Sequence, residues 1–255
     1  MSQSMIEARE SPVPPPGPGR LELTAWRASH GVVAGITTRA DGFNLGFGTA
    51  DEAQKVSARW RAFLAAAQPS FTGAVLGHQI HGTAIRPHAT TPTEGLQVLD
   101  GVDGHLTTAA GALLAVTVAD CVPVYLTTRD GGAVGLVHAG WRGIAGGIVE
   151  AGVRRLAALA GSPDGDIVIH CGVSICGACY EVGSEVISAV SGRLTEGKAL
   201  LDLRAEIATR ARAAGVREIT ASPYCSAHDQ DLFFSHRRSG GKDGRMIAYL
   251  GRPLA

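Results

Sequence analysis

VTVADCVPVYL, residues 116–126, places Asp120 and Cys121 side by side at the end of an apolar run. The run begins upstream as ALLAVTV, residues 112–118, and a second continuous apolar run, AVGLVHA, follows at 133–139. Continuous apolar runs of this length are typical of strands that are buried on both faces. A carboxylate at the end of such a strand loses solvation unless it is paired or hydrogen-bonded. The stretch therefore indicates both a buried sheet and a polar site at its edge.

Outside these runs, strand-like segments alternate with segments of helical periodicity. Further strands are predicted at 31–39 (GVVAGITTR), 73–86 (GAVLGHQIHGTAIR) and 167–175 (IVIHCGVSI). Helices are predicted at 51–68, 140–161, 181–194 and 201–216. Gly161 and Gly215 end two of these helices, and a left-handed cap fits at Gly161. The alternation predicts an α/β chain, and no internal linker or repeat divides it, so we expect a single domain.

Length and composition describe an ordinary globular protein. The chain has 255 residues, 45% of them hydrophobic and 18% charged, which is enough to bury a large core. Its 23 basic residues balance 23 acidic residues, so no overall field attracts nucleic acid or an anionic membrane, and any anion site must be local. No apolar run approaches the roughly 18 residues of a membrane span, and no signal peptide is apparent. We expect a cytoplasmic protein.

The first part of the chain has a different composition. Residues 1–19 are rich in proline and poor in apolar side chains, so burial cannot offset the entropy lost on ordering them. This segment is predicted to be a disordered tail, and residues 20–255 are predicted to form the catalytic domain.

The cysteine pattern favours free thiols. There are five cysteines in a chain without a secretion signal, an odd number that argues against a disulfide framework. Cys176 and Cys179 form a C-x-x-C, a spacing shared by redox pairs and by half-sites for zinc. No second C-x-x-C accompanies them, so the spacing leaves both interpretations open.

Three segments end probable strands with residues that can bind a metal: HQIHG with His78 and His81, ADC with Cys121, and VHAGWRG with His138. Two imidazoles and one thiolate suit Zn²⁺, and three protein ligands leave a fourth position free, as in a catalytic zinc site. The alternative is that each histidine is hydrogen-bonded structurally and that the thiol is a small buried apolar group. Spacing alone does not decide between these interpretations.

Several charged residues are candidates for substrate handling. Asp120 could orient a histidine or accept a proton, or it could cap a helix or turn. Four arginines stand in glycine-rich or turn-like contexts, where a guanidinium could reach a phosphate or simply face solvent. These arginines are Arg39, Arg142, Arg237 and Arg238.

Taken together, the motifs resemble the YfiH-like family, whose members are also described as multicopper polyphenol oxidase or laccase-domain proteins and as peptidoglycan editing factors. The resemblance runs from about Thr37 to Leu250 and rests on seven segments: TTRADGFNLGFGTAD, HQIHGTAI, DGHLTTAAGALLAVTVADCVPV, GLVHAGWRG, CYEVG, LDLR and FFSHRRSGGKDGR. It implies an α/β (α+β) fold of layered mixed sheets flanked by helices.

The resemblance also implies an activity and a site. It makes His81, Cys121 and His138 the zinc ligands, and it implies phosphorolysis of adenosine, inosine and methylthioadenosine to the free base and ribose 1-phosphate, together with deamination of adenosine. On this basis Cys121, His138 and Asp120 are the expected catalytic residues, and Arg39 and Arg237 the expected phosphate-binding residues. The chain departs from the family pattern at Cys171, Cys176 and His236.

Other functions stay open at this stage. A copper-dependent polyphenol oxidase would need an imidazole-rich ligand set with many His-x-His pairs, whereas the chain has nine histidines and no such pair, so copper is less favoured than zinc. A Cys-dependent amide hydrolase that edits peptidoglycan precursors would use Cys121 as nucleophile and His138 as base. A non-enzymatic binding protein is the third possibility, and the oligomeric state is left open.

Overall fold

The structure, a computed structural model, describes residues 5–15, 17–92 and 94–255. Its α-helices in these ranges are α1 (Thr24–His30), α2 (Ala53–Ala67), α3 (Trp141–Ala145), α4 (Ile148–Ala160), α5 (Ser184–Ser191), α6 (Leu203–Ala213) and α7 (His236–Ser239). Its strands are β1 (Ile6–Glu7), β2 (Ser11–Pro12), β3 (Arg20–Glu22), β4 (Val33–Thr37), β5 (Gly73–His78), β6 (Ile85–His88), β7 (Gly95–Asp100), β8 (Gly104–Thr107), β9 (Ala112–Val118), β10 (Val122–Thr128), β11 (Val134–Ala139), β12 (Ile167–Cys171), β13 (Glu181–Val182), β14 (Ala199–Leu200), β15 (Glu218–Ala221) and β16 (Met246–Gly251).

Two seven-stranded mixed sheets form the centre of the fold. The first sheet has the order β1-β15-β12-β10-β11-β8-β6, and the second has the order β2-β3-β4-β16-β9-β5-β7. A small antiparallel pair, β13 with β14, lies apart from both. The sheets pack face to face through a shared apolar core that includes Val116 of β9 and Leu136 of β11. Helices α4, α5 and α6 cover the other face of the first sheet, and α2 covers the other face of the second.

The chain passes from one sheet to the other within the stretch 116–126. Strand β9 belongs to the second sheet, strand β10 belongs to the first, and only residues 119–121 connect them. Both strands are almost wholly buried, as their continuous apolar sequences predict. The predicted fold of layered mixed sheets flanked by helices is confirmed, and so are the buried strands at 112–118 and 133–139.

Two predicted elements are each divided in the structure. The segment 73–86 is not one strand, because β5 joins the second sheet, β6 joins the first, and a loop that contains His81 in a left-handed conformation lies between them. The helix predicted at 140–161 is two helices, since Gly147 adopts a φ of 87° between α3 and α4. Gly161 ends α4 in the left-handed conformation that was predicted.

The segment predicted to be a disordered tail contains ordered backbone. Strand β1 pairs in parallel with β15, and β2 pairs with β3, so residues 6–12 extend the edges of both sheets. Between these strands Glu10 is only 2% exposed, and its carboxylate accepts hydrogen bonds from His170 Nε2 at 3.1 Å and Ser222 Oγ at 2.7 Å. The prediction was wrong here because main-chain pairing and one buried carboxylate order the segment without apolar side chains. Residues 1–4 and residue 16 of the predicted tail lie outside the described ranges.

Replacing Glu10 by Ala is expected to lower the free energy of unfolding by roughly 2–5 kcal/mol, because His170 and Ser222 would lose buried hydrogen-bond partners. Urea unfolding of the full chain measures this difference. Glu7→Ala, in the exposed β1 of the same segment, is the matched control and should change stability by less than about 0.5 kcal/mol. Equal stabilities for the two variants would show that the segment does not contribute to folding.

A buried histidine should make stability depend on pH. Burial, followed by the charge on His88, lowers the pKa of His105 to about 3. Because this folded pKa lies below that of an unfolded histidine, the unfolded chain takes up the proton first as the pH falls below about 6.5. Stability should therefore decrease from about pH 6.5 toward pH 3, by up to about 1.4 kcal/mol per pH unit from this group. Unfolding at pH 7, 6 and 5 should show a shallower dependence for His105→Gln than for the native chain, and equal slopes would contradict this expectation.

Within the described residues, no helix is both long enough and apolar enough to cross a membrane. The cytoplasmic location stays a prediction.

Candidate active site

His81, Cys121 and His138 converge at the junction of the two sheets. One potential ligand atom from each lies within 4.8 Å of those of the other two. The two imidazole rings meet edge to face, with their centroids 4.9 Å apart. His138 is buried, Cys121 is half-buried and His81 is exposed, so the group opens to solvent on one side. The structure thus brings together the three residues that were predicted to bind zinc.

Strand pairing explains how residues far apart in sequence meet. Cys121 directly precedes β10, and His138 lies in the antiparallel β11, where it is paired with Pro123. The third residue, His81, comes from the loop after β5 of the other sheet. Its φ of 59° turns the backbone sharply at that point.

Asp103 holds two of the three residues in place. Its carboxylate accepts backbone hydrogen bonds from Ile80, His81 and Gly82 at 2.8–3.1 Å, and it lies 3.0 Å from Nδ1 of His138. The side chain is fully buried. A proton held on Nδ1 by this carboxylate makes Nε2 the nitrogen of His138 that would bind a metal. Sequence analysis assigned Asp103 no role, although it lies in the motif DGHL; a carboxylate just before a buried strand was the available signal.

The electrostatics of the group favour a thiolate. Burial alone would raise the pKa of Cys121, but the charge and hydrogen bonds of His138 and His81 lower it to about 6. For His138, burial alone would lower the pKa, because it disfavours the charged imidazole. The negative charges and hydrogen bonds of Cys121 and Asp103 nevertheless raise this pKa to about 9. For Asp103, burial acts to raise the pKa, and the hydrogen bonds from His138 and the loop backbone lower it overall. A thiolate is the form of cysteine that binds metals and acts as a nucleophile.

Gly140 lets the three side chains approach one another. A Cβ at this position would lie 3.0 Å from Sγ of Cys121 and 3.1 Å from Cδ2 of His81. Both contacts are tighter than ordinary van der Waals separations, so a larger residue would push the thiol and the imidazole apart.

Asp120 has a different position from the one expected. Its backbone is left-handed, with a φ of 92°, and its carboxylate accepts hydrogen bonds from Ser226 Oγ and from the backbone N–H of Arg237, both at 2.6 Å. It therefore anchors the start of α7 to the end of β9. Asp103, and not Asp120, orients His138. A role for Asp120 in proton transfer stays a prediction.

A cavity of about 820 Å³ opens over the three residues. This volume lies within the range of roughly 300–1,000 Å³ that small-molecule sites occupy. Part of its wall is apolar and aromatic, formed by Phe47, Val98, Trp141 and Tyr180. The remainder is polar and includes three arginines and two carboxylates: Arg142, Arg237, Arg245, Asp100 and Asp120.

Two of the four candidate arginines, Arg142 and Arg237, line the cavity, and the other two, Arg39 and Arg238, do not. The guanidinium of Arg237 lies 5.0 Å from the centre of the Tyr180 ring, and that of Arg142 lies 4.3 Å from the centre of the Trp141 ring, both at the cavity. Arg39 does not line the cavity, because its guanidinium stacks on Phe234 and pairs with Asp243 at 3.7 Å. Arg238 donates a hydrogen bond to the carbonyl of Ala227. Arg39, which was expected to bind phosphate, therefore lies outside the cavity wall, whereas Arg245, for which no role was predicted, lies in it.

Comparisons with known proteins agree with the sequence motifs. Residues 27–253 match the family model described as "Multi-copper polyphenol oxidoreductase laccase". The chain is similar to purine nucleoside phosphorylase YlmD of Geobacillus stearothermophilus, with 34% identity over 87% of this chain and 90% of the relative. A shorter match, 38% identical over 60% of this chain and 63% of the relative, is to adenosine deaminase RL5 of an unknown prokaryotic organism. The crystal structure of YlmD from G. stearothermophilus superposes with a TM-score of 0.82 at 32% identity, covering 94% of this chain and 98% of that one.

The family model spans most of the chain, and the curated relative and the solved structure each cover more than four fifths of it. These matches confirm the resemblance on which the site residues were predicted. The chain belongs to the laccase-like YfiH family.

Proposed function

We propose that the protein is a zinc-dependent purine nucleoside enzyme. It cleaves adenosine, inosine and methylthioadenosine with phosphate, giving the free base and ribose 1-phosphate, and it also deaminates adenosine. The observation that carries this proposal is a three-residue ligand group with an open side, facing a cavity that has both cationic and aromatic walls. The names of the relatives, which include purine nucleoside phosphorylases and an adenosine deaminase, support it.

The donor set fits a catalytic zinc ion. His81, Cys121 and His138 would hold the ion, and the lowered pKa of Cys121 supplies the anionic ligand. Zn²⁺ bound by these residues supplies Lewis-acid activation of a water or phosphate oxygen. Asp103 keeps His138 in the tautomer that the site requires.

The cavity walls suit the two substrates. Arg142 and Arg237 carry guanidinium groups at the cavity, where they can bind phosphate oxygens through paired hydrogen bonds. The aromatic side chains of Phe47 and Trp141 offer apolar faces for the purine. Burial, followed by the charge on Cys121, raises the pKa of Tyr180 to about 12, so its hydroxyl keeps its proton and can donate a hydrogen bond to the base.

Both reactions balance with these groups. In phosphorolysis, a phosphate oxygen forms a bond to C1′ of the ribose, the bond from C1′ to N9 breaks, and its electron pair moves onto the purine, which takes up a proton. In deamination, water adds to C6 of adenine and ammonia leaves, giving inosine. The side chains of Arg142, Arg237 and Tyr180 line the cavity. The two arginines would position the phosphate, and the hydroxyl of Tyr180 would stabilise the departing base by donating a hydrogen bond.

The test is a product assay combined with metal removal. Adenosine incubated with phosphate should give adenine and ribose 1-phosphate, and without phosphate it should give inosine. Both products should disappear after chelation and return with Zn²⁺. Full activity in metal-free protein would overturn the proposal, and recovery with Cu²⁺ together with oxygen consumption would favour the oxidase instead.

Replacing Arg142 by Met should raise the KM for phosphate roughly tenfold, the effect of losing about 1.4 kcal/mol of hydrogen bonding to an anion. Deamination consumes no phosphate and should fall much less, so the two activities of one preparation can be compared. Arg39→Met is the matched control, since Arg39 lies outside the cavity wall. An equal rise in the KM for phosphate in both variants would place the anion site elsewhere.

A second candidate function rests on the same geometry. Cys121, His138 and Asp103 also stand in the order of nucleophile, base and orienting carboxylate. This arrangement would suit the Cys-dependent hydrolysis of an amide in a peptidoglycan precursor. The chelation experiment separates the two functions, because a cysteine hydrolase keeps its activity without metal.

A further inference from the structure

A second group of potential ligands lies outside the candidate active site. It contains Cys176, Cys179, Cys225 and His228, whose ligand atoms all lie within 4.8 Å of one another. Sγ of Cys179 is 3.1 Å from Nε2 of His228, and Sγ of Cys176 is 3.7 Å from Nδ1 of the same ring. Sγ of Cys225 accepts a hydrogen bond from the backbone N–H of Cys176 at 3.3 Å. The C-x-x-C of the sequence is therefore half of a four-residue cluster.

The donor set is that of a structural zinc site. Three thiols and one imidazole complete a tetrahedron and leave no open position, in contrast to the three ligands of the candidate active site. With Zn–S bonds near 2.3 Å and Zn–N bonds near 2.0 Å, a tetrahedral ion holds its ligand atoms about 3.5–3.8 Å apart. Only one nitrogen of His228 can bind the ion, and with one ligand atom per residue the four atoms lie within 4.8 Å of one another. Side-chain rotations that move these atoms by about an ångström would bring them to the separations of a tetrahedral site.

The surroundings also suit a bound ion. Cys225 is only 4% exposed and packs with Ile175 and Ala227 in a small apolar cluster of its own. Cys176 and Cys179 are half-buried, while His228 is exposed and closes the cluster toward solvent. A dry interior on one side and an accessible imidazole on the other would let an ion enter and then be shielded.

We propose that Cys176, Cys179, Cys225 and His228 bind a second, structural zinc ion that joins two loops of the fold. One loop follows β12 and carries the C-x-x-C, and the other follows β15 and carries Cys225 and His228. Besides the cluster, the two loops are joined by the isolated bridge between Ser174 and Cys225, by a backbone hydrogen bond from Ser226 to Ser174, and by the packing of Ile175 with Ala227.

The joined loops form part of the active-site wall. Tyr180, which follows Cys179, lines the cavity. The backbone N–H of Ile175 donates to the carbonyl of Asp120 at 3.0 Å, and the hydroxyl of Ser226 donates to the carboxylate of the same residue. An ion in the second site would thus fix the two loops that hold Asp120 next to Cys121. This role goes beyond the proposed function and does not depend on it.

Metal content of the full chain tests the inference. Protein purified with reductant should contain two zinc ions per chain, and Cys121→Ala should retain one. The double variant Cys176→Ser, Cys179→Ser should also retain one, and combining it with Cys121→Ala should leave none. His30→Ala is the matched control for loss of an imidazole, because among the described residues His30 belongs to neither ligand group, and it should keep two. His228→Ala, which changes an exposed side chain, should weaken binding at the second site with little effect on folding.

Cobalt provides a second readout that does not depend on activity. In the Cys121→Ala background, added Co²⁺ should give the thiolate charge-transfer and tetrahedral bands of a cysteine-rich site, and the double cysteine variant should abolish them. One zinc per native chain and none in Cys121→Ala would overturn the inference. So would unchanged Co²⁺ spectra in the double variant. Because the second site is measured in protein that lacks the first, failure of the proposed function would leave this test intact.

Discussion

A Cys121→Ala protein should release adenine from adenosine and phosphate at no more than about one hundredth of the native rate. Removing the thiolate takes away the one anionic ligand of the candidate active site and leaves two imidazoles. The Lewis acid that such a site holds contributes several kcal/mol to catalysis, and each 1.36 kcal/mol corresponds to a factor of ten in rate. We expect the same loss for His81→Ala and His138→Ala. The measurement is chromatography of the free base together with metal content.

The control for this experiment is Cys171→Ala. Cys171 is a buried cysteine of β12, and burial raises its pKa to about 12, so it is a neutral packing group. Its replacement should lower stability slightly and leave turnover close to native. Normal turnover by Cys121→Ala would refute the assignment of the site.

An Asp103→Asn protein should lose metal affinity and activity by roughly 10- to 100-fold, although Asp103 touches no substrate in the proposed mechanism. The amide cannot accept all the hydrogen bonds that the carboxylate accepts from the loop at 80–82 while also holding His138 Nδ1. At least one N–H is then left without a partner, and each such loss costs about 1–3 kcal/mol of stability. Competition with a chromogenic chelator measures the affinity, and urea unfolding measures the stability.

Asp231→Asn is the matched control, because Asp231 is exposed and the charge change is the same. A purely structural role for Asp103 would lower stability but leave the zinc affinity of the folded protein unchanged. That outcome would contradict the positioning role. Recovery of affinity in Asp103→Glu would support it, since the longer carboxylate can still accept from His138.

Local patterns predicted much of the fold. The buried strands at 112–118 and 133–139 followed from continuous apolar runs of strand length, which are typical of strands covered on both faces. The cap at Gly161 followed from backbone freedom alone. The convergence of His81, Cys121 and His138 could be predicted only from the family resemblance, because it depends on how two sheets are joined.

The features that sequence analysis missed all depend on distant partners. Glu10 is ordered by His170, which lies 160 residues away, and Asp103 acts on a loop and a strand that are both remote in sequence. The C-x-x-C gave no sign of the other two residues of its cluster, since Cys225 and His228 belong to a separate loop. The turn-like context of Arg39 predicts a guanidinium that could reach a phosphate, but in the structure this guanidinium pairs with Asp243 outside the cavity wall. Strand register and the connections between sheets determine which distant residues come into contact, and local composition predicts neither.

The three residues of the candidate active site are divided between the sheets: His81 follows a strand of one, and His138 lies within the other. Any slippage of the sheets along their shared face would therefore change the distance between the two imidazoles. Apolar substitutions far from the cavity, such as Leu136→Val in that face, should alter zinc affinity without touching a ligand. Among variants of the shared core, zinc affinity should therefore decrease as the packing between the two sheets becomes poorer.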